Sequence, residues 1–317
     1  MKYLCLLTLI LLTGCSSCGN KTEMPNLPAA DLLQAGNVKA LVAKNHQNLR
    51  GVDGDFESFK EYLNGLKDDD AASIPYAMDY IKTCLPSDMA GRDSVVLLFN
   101  VKFFKITNFI SSKLETRYAA MVKLYDGEPQ SAKLRIFKNN LKTCGIGIFQ
   151  TEGNCYLDVL PDYFYTNFKN RVSAGVKEYL NIRRVELAQG FSEDAGLLIS
   201  YRQLYQRVKR WEKYMKTYPT SVYRNEAENY YTTYLETLLT GMDNSPVFEG
   251  FSETLSPEVK AIYEQAILRD PESPSSKIIT YYYGLLSRND FRRNDSIPIF
   301  LNEHKLSNMS GIQPDTR

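Results

Sequence analysis

The sequence predicts a mainly α-helical fold of paired antiparallel helices, either α-solenoid-like or an irregular helical array, with one β-hairpin inserted near residues 144–160. Three observations predict this fold class. Apolar residues recur at helical spacing along most of the chain, the stretch 144–160 alternates between apolar and polar residues, and the C-terminal third contains an internal repeat.

Two helices are predicted at the start of the folded body. Asp55 is a typical N-cap, and apolar residues recur behind it at helical spacing: Phe56, Phe59, Leu63 and Leu66. Ser73 opens the second helix, with Pro75 in its first turn.

Residues 95–110 form the most apolar stretch after the N-terminus. Four polar residues interrupt it: Asn100, Lys102, Lys105 and Asn108. Because charged side chains are costly at the centre of a bilayer, the stretch predicts a central core helix and not a membrane span.

The alternation at 144–160 predicts two strands that turn at residues 151–154. The predicted register pairs Phe149 with Tyr156, Ile148 with Leu157 and Ile146 with Val159. It places the sulfurs of Cys144 and Cys155 about 20 Å apart along the hairpin, beyond disulfide reach. We therefore expect no bond between them, and free, mostly buried thiols at the cysteines beyond Cys15.

Further helices are predicted at 113–125, 129–142 and 173–188, and another opens at Pro161. A longer helix is predicted after Ser192. Four residues would share one face of it: Leu204, Val208, Trp211 and Met215.

The repeat relates residues 211–239 to residues 263–291. It matches Trp211 with Tyr263, Met215 with Ile267, Pro219 with Pro271, Ser221 with Ser273, and Tyr230-Tyr231 with Tyr282-Tyr283. Each unit is predicted to contain a helix, a Pro-centred turn with a Ser able to cap the next helix, and a second helix rich in aromatic residues. The turn at 218–227 resembles the turns between repeats of tetratricopeptide-like envelope lipoproteins, and this resemblance implies a scaffold role.

The N-terminus predicts a signal peptide at residues 1–14, since a short cationic start precedes an apolar run and small residues. Leu12-Thr13-Gly14-Cys15 resembles the lipobox of bacterial lipoproteins. The resemblance implies cleavage before Cys15, a diacylglycerol on its thiol and a fatty acid such as palmitate on its amine. The sulfur of Cys15 would then be a thioether, which excludes a redox or zinc site shared with Cys18.

The predicted organisation after the signal peptide has three parts. Residues 15–30 form a lipidated flexible tether, 31–190 an N-terminal helical region with the hairpin, and 191–317 a C-terminal region of helical hairpins, continuous with the preceding one or separate. By resemblance to sorting rules, Ser16 after the lipidated residue favours the outer membrane, facing the periplasm.

With 38 basic and 37 acidic residues, the chain has no excess charge that would attract nucleic acid.

Catalytic and metal-binding motifs are missing from the sequence. His46 and His304 are far apart, and no HExxH, G-x-S-x-G or Walker A pattern occurs. Gly145 and Gly147 are predicted within a strand, which lacks the geometry to cradle phosphate. We therefore expect no metal, no cofactor and no enzyme. The alternative is a peptidoglycan-cleaving enzyme with Glu152 as the acid, because its hairpin superficially resembles a segment of lytic transglycosylases.

The 22 tyrosines are the remaining notable feature. Residues 223, 227, 230, 234 and 238 follow a helical stripe, which predicts a packed core face. Consecutive tyrosines cannot all face inward, so Tyr231, Tyr281 and Tyr283 are the candidate binding surface.

Two functions remain open beside the peptidoglycan-cleaving enzyme. The sequence favours a non-enzymatic scaffold or interaction subunit of an envelope protein assembly, anchored in the membrane by Cys15. The alternative is a lipoprotein that binds a glycan or a peptide.

Overall fold

The computed structural model describes residues 42, 46, 49, 54–115, 125, 132–151 and 154–306. In these residues the chain is mainly helical, with small antiparallel two-stranded sheets. The helices are α1 (Phe56–Gly65), α2 (Ser73–Thr83), α3 (Met89–Glu115), α4 (Ala132–Thr143), α5 (Tyr163–Phe168), α6 (Ala174–Gln189), α7 (Tyr201–Thr217), α8 (Arg224–Thr240), α9 (Pro257–Arg269), α10 (Pro274–Ser287) and α11 (Ser296–Glu303). The strands are β1 (Ile146–Thr151), β2 (Asn154–Val159), β3 (Ser192–Glu193), β4 (Gly196–Leu197), β5 (Gly241–Met242), β6 (Ser245–Pro246), β7 (Phe248–Glu249) and β8 (Thr254–Leu255).

Side-chain caps determine where many of the helices begin. The predicted cap at Asp55 is confirmed, because its carboxylate accepts a hydrogen bond from the Ser58 amide at 2.9 Å. The same kind of cap precedes α6, α7, α9 and α10, at Ser173, Ser200, Ser256 and Ser273. Helix α2 begins at Ser73 as predicted.

Helix α3 is the central helix of the N-terminal half. By length and composition alone, Met89–Ser112 is apolar enough to cross a membrane. In the fold it packs against α1, α2 and β2, and its buried face includes Phe99 and Phe103. Lys102 and Lys105 both pair with Asp68 at 2.6 Å, so two of the four polar interruptions lie beside a carboxylate. The predicted core helix is confirmed.

The hairpin β1–β2 has the predicted register throughout. Among the described residues, Cys84, Cys144 and Cys155 form no disulfide, and all three are buried. Burial raises the pKa of Cys144 to about 12, and burial also raises that of Cys84. As predicted, the register separates Cys144 and Cys155 along the hairpin, and they do not form a disulfide with each other.

Gly145 was predicted within a strand, but it lies in the turn between α4 and β1. Its φ is +81°, a left-handed conformation, and a Cβ there would lie 2.3 Å from the ring of Tyr163. The residue therefore reverses the chain and lets Tyr163 pack directly on the backbone.

Three short hairpins add to the single predicted one, at β3–β4, β5–β6 and β7–β8. The helix predicted after Ser192 begins only at Tyr201. Asp194 and Ala195 both have positive φ, 48° and 51°, and so form a tight two-residue turn between β3 and β4. The backbone N–H of Asn244 donates a hydrogen bond to the Ala195 carbonyl at 2.9 Å, which connects this hairpin to β5–β6.

The remaining helix predictions differ from the structure mainly at their boundaries. Helices α4 and α6 correspond to 129–142 and 173–188, and α5 starts two residues after Pro161. The helix predicted at 113–125 lies mostly outside the described residues.

The repeat appears as two helical hairpins, α7 with α8 and α9 with α10. The matched residues Trp211 and Tyr263 are both fully buried, and α7 also contacts α9 and α10. Ser273 caps α10 as predicted, whereas Ser221 does not cap α8, because α8 begins after Tyr223. Instead, the Ser221 hydroxyl lies 2.7 Å from that of Tyr214.

The turn at Gly145 yields a test of this fold. We expect Gly145→Ala to lower the free energy of unfolding by about 1–3 kcal/mol, because the new Cβ meets the Tyr163 ring in a strained backbone conformation. Denaturant unfolding followed by circular dichroism measures the change. Gly284→Ala is the control, since Gly284 lies within helix α10 with open space around it, and we expect it to stabilise by up to about 1 kcal/mol. Equal effects of the two changes would contradict this account.

Candidate functional site

The three tyrosines predicted to form a binding surface differ in their exposure and in their contacts. Tyr281 is 69% exposed and lies in an open groove with Phe300 and His304. Tyr283 donates a hydrogen bond to Glu264 at 2.8 Å and packs on Phe291. The hydroxyl of Tyr231 is buried and has no hydrogen-bond partner among the described residues. Of the three, only Tyr281 has the exposure that the prediction required.

The two histidines, His46 and His304, have different partners. His46 contacts Asp79 at 3.1 Å, and the ring of His304 stacks on Phe300 at 4.1 Å. Cys15, Cys18 and Glu152 lie outside the described residues. Among the residues that the structure describes, no three His, Cys, Asp or Glu side chains come together in a way that could hold a metal ion.

The predicted core stripe on α8 is confirmed, and it encloses a buried carboxylate that the sequence did not indicate. Of the stripe, Tyr223, Ala227, Tyr234 and Leu238 are buried, and Tyr230 is half-buried. Glu186 of α6 faces this core and is 2% exposed.

Three donors from three helices converge on Glu186. The Trp211 indole donates to Oε1 at 3.0 Å, the Tyr234 hydroxyl donates to Oε2 at 3.0 Å, and Arg183 donates to Oε2 at 3.2 Å. Burial raises the pKa of Glu186 above its ordinary value, and the charges of Arg183 and Arg207 oppose that rise. The network joins α6, α7 and α8 through a single side chain.

The Arg183 side chain is held on two sides. Besides its ion pair with Glu186, its guanidinium lies over the ring of Tyr230, with Cζ 4.1 Å from the ring centroid. That ring also stacks on Trp211, with the centroids 5.1 Å apart. Arg183 thus has a fixed position at the edge of the core.

Beside Arg183 the surface opens into a cleft of about 420 Å³, within the usual range for small-molecule sites. Helices α3, α5, α6 and α8 and the end of β2 form its walls. One part of the lining is apolar and includes Val101, Phe104 and Leu187. The other part is polar and consists of Asn100, Arg183, Arg184, Glu226, Asn229 and Thr233.

Glu226 is the polar group of this cleft with an unmet hydrogen-bonding capacity. Its Oε2 atom is buried and has no hydrogen-bond partner among the described residues. Burial raises the pKa of Glu226, whereas an interaction with the Tyr179 hydroxyl and the charge of Arg183 lower it. A buried carboxylate oxygen without a donor is unfavourable, and because Oε2 has almost no accessible surface, a ligand in the cleft does not reach it.

Sequence reasoning missed this cleft, although part of its signal was visible. Asn100 stood out as a polar interruption of an apolar helix. Glu226, Asn229 and Thr233 recur at helical spacing beside the aromatic stripe of α8, so they form a polar row on one face. What the sequence did not indicate was that Asn100 and this row line the same cleft.

Comparison of the chain with models of known protein families, with curated proteins and with solved structures finds no match.

The network around Glu186 yields the second test. We expect Glu186→Ala to lower the free energy of unfolding by about 3–5 kcal/mol, because it removes the ion-pair partner of the half-buried Arg183, the negative charge near the buried Arg207 and the acceptor of the Trp211 indole. Thermal or urea unfolding measures the loss.

Glu228→Ala is the control on a neighbouring helix. Its carboxylate pairs with Arg224 on the surface and is 60% exposed, so we expect a change of less than about 1 kcal/mol. If Glu186→Ala also lowered the free energy of unfolding by less than about 1 kcal/mol, the network would be dispensable for stability.

Proposed function

We propose that this protein is a lipid-anchored cell-envelope lipoprotein that acts by binding a small ligand in the cleft between α3, α5, α6 and α8. The observation that carries the proposal is a cleft of about 420 Å³ whose lining combines apolar side chains with several polar ones. Such a lining orients a ligand by its polar groups while burying its apolar parts.

The envelope location rests on the N-terminal sequence. The resemblance of Leu12-Thr13-Gly14-Cys15 to a lipobox supports a lipid on Cys15, with residues 15–30 as the tether. On this proposal the folded body faces the periplasm from the outer membrane, where soluble glycans and peptides are the available ligands.

A variant that fills the cleft tests this function. Val101 lines the cleft and is 58% exposed, so Val101→Trp should occupy the cleft with little effect on the fold. We expect at least one class of compound among neutral sugars, amino sugars, uronic acids and dipeptides to raise the melting temperature of the wild type. Thermal unfolding of Val101→Trp should show no such shift.

Ile299→Trp is the matched control, because Ile299 is similarly exposed, at 62%, and lies outside the cleft on α11. It should keep the ligand-induced shift of the wild type. The proposal fails if none of the four classes stabilises the wild type, or if Val101→Trp responds as the wild type does.

A scaffold in an envelope assembly is the second candidate, and one observation favours it. The four most exposed large apolar side chains of the described residues all lie in the C-terminal third, and they are Phe251, Leu268, Tyr281 and Ile299. Phe251 projects from the loop between β7 and β8. Exposed aromatic and aliphatic side chains of this kind serve as anchors in protein interfaces.

Crosslinking in cells tests the scaffold function. We expect the wild type to capture one protein partner reproducibly, identified by mass spectrometry, and Cys15→Ala to lose that partner because the anchor holds it at the membrane. Phe251→Ser should weaken the capture if the C-terminal surface carries the contact. Enrichment of no protein over an unrelated lipoprotein control would contradict the scaffold function.

A further inference from the structure

A groove between α6 and α7 forms a second cavity, away from the cleft. The two helices run antiparallel, since Arg207 of α7 donates to the carbonyl of Gly190 after the end of α6 at 2.6 Å, and Gly175 near the start of α6 lies beside Tyr218 after the end of α7. The groove has a volume of about 520 Å³ and shares no lining residue with the cleft. Six of its lining residues carry a charge, an amide or an aliphatic hydroxyl, and they are Glu178, Gln206, Lys209, Arg210, Lys213 and Thr217.

One wall of this groove is a row of hydrogen-bond donors on α7. Gln206, Arg210 and Lys213 follow one another at four and three residues, so they share one face of the helix, with neighbouring Cβ atoms about 5–6 Å apart. All three residues are exposed. The guanidinium of Arg210 and the ammonium of Lys213 can therefore both contact one group bound in the groove.

The charges of Arg210 and Lys213 are not neutralised by a direct acidic partner. Among the residues that the structure describes, neither side chain has a salt-bridge or hydrogen-bond partner. Lys209, by contrast, is paired with Glu212 and, at 2.9 Å, with Asp270. Like charges one helical turn apart repel each other, so an anion bound between Arg210 and Lys213 would relieve that repulsion.

Two nearby carboxylates could compete with an anion, and both have other partners. Glu178, on the α6 wall of the groove, accepts a hydrogen bond from Asn181 at 3.5 Å. Glu186 is buried, and although the charge of Arg210 acts on it, its oxygens accept from the three donors described above. Three cations and one acid line the groove, so its lining has an excess of positive charge.

The row of donors fits a phosphoryl group better than a carboxylate. A guanidinium binds phosphate through two parallel hydrogen bonds, and an ammonium adds a point charge from a different direction. A phosphate monoester has three terminal oxygens and carries nearly two negative charges at neutral pH, which matches the two cations. A carboxylate has two oxygens in one plane and a single charge, so it balances one of the cations and leaves the other unpaired.

We propose that the groove between α6 and α7 binds a phosphoryl group, with Arg210 and Lys213 as its cationic contacts and the amide of Gln206 as a neutral donor. The group belongs either to a soluble phosphate ester or to the headgroup of a lipid with a terminal phosphate, since both present the same oxygens. This site is separate from the cleft, and it does not depend on the function proposed for the cleft.

Isothermal titration calorimetry of the full-length lipidated protein tests this ligand class. The protein is kept in an uncharged polyoxyethylene detergent and a phosphate-free buffer at pH 8. The probes are inorganic phosphate, glycerol 3-phosphate and dihexanoyl phosphatidic acid, with acetate and succinate as competitors, because succinate carries two negative charges without a phosphoryl group. We expect glycerol 3-phosphate to bind about tenfold or more tightly than succinate, and added salt to weaken its binding.

The same titrations distinguish the two sources of the phosphoryl group. Dihexanoyl phosphatidic acid is glycerol 3-phosphate with two short acyl chains, so the two probes differ only in the lipid part. Tighter binding of the phosphatidic acid, lost in the variants below, identifies a lipid headgroup as the ligand. Equal affinity of the two probes identifies a soluble ester.

Substitutions on the two walls should change the affinity in opposite directions. We expect Arg210→Gln and Lys213→Gln each to lower the affinity for glycerol 3-phosphate about tenfold, because each removes a charge-assisted hydrogen bond. Glu178→Gln should raise it about threefold, since it removes the acid that faces the ligand. The double variant Arg202→Gln/Lys216→Gln is the control, because it removes two exposed cations from the same helix outside the groove, and it should bind as the wild type does.

Three results would overturn this inference. Binding of acetate or succinate as tight as that of the phosphate esters overturns the phosphoryl assignment. Unchanged affinity after Arg210→Gln and Lys213→Gln together, or an equal loss in the control, overturns the site. Absence of heat with all three phosphates, together with no rise in the melting temperature, shows that the groove binds no phosphoryl group. Val101→Trp, which fills the cleft, should bind glycerol 3-phosphate as the wild type does, so failure of the cleft proposal leaves this one standing.

Discussion

The packing of α6, α7 and α8 depends on one buried carboxylate, that of Glu186. It accepts hydrogen bonds from the indole of Trp211 on α7, from the hydroxyl of Tyr234 on α8 and from Arg183 on its own helix. A buried acid is costly unless donors surround it, so these three helices have a strong reason to keep their relative positions. The apolar contacts around it determine how tightly the helices pack, whereas the carboxylate determines which side chains must meet.

The cleft and that network share the side chain of Arg183. Arg183 is fixed by Glu186 and by the ring of Tyr230, and it acts electrostatically on Glu226. Helix α6 thereby carries a structural acid on one face and lining residues of the cleft on another. Ligand recognition at the cleft would draw on side chains already held in place, which lowers the entropy that binding must overcome.

Local features of this chain could be predicted from its sequence, because their physics is local. The cap at Asp55, the register of β1–β2 and the buried stripe of α8 each depend on residues a few positions apart. The matched hairpins around Trp211 and Tyr263 were also visible, since a repeat preserves the spacing of its core residues. The helix boundary at Tyr201 was missed because Asp194 and Ala195 adopt a left-handed turn that their residue types do not require.

The site could not be predicted to the same degree. Glu186 and its three donors are spread over α6, α7 and α8, and nothing in the spacing of a single helix indicates that they meet. The exposure of the tyrosines was predicted from their neighbours in sequence. Tyr281 is exposed as expected, whereas the hydroxyl of Tyr231 is buried. A cleft between elements distant in sequence is a property of their packing, and only the packed chain displays it.

The three buried thiols have a consequence for how this protein matures. Disulfide exchange proceeds through the thiolate, and burial raises the pKa of Cys144 to about 12 and also raises that of Cys84, which disfavours their thiolates at neutral pH. Burial in the folded body therefore lowers the reactivity of these two thiols toward oxidants and thiol-based catalysts. The interval before folding is the vulnerable one, so rapid burial of Cys84, Cys144 and Cys155 would itself protect the chain from incorrect crosslinks.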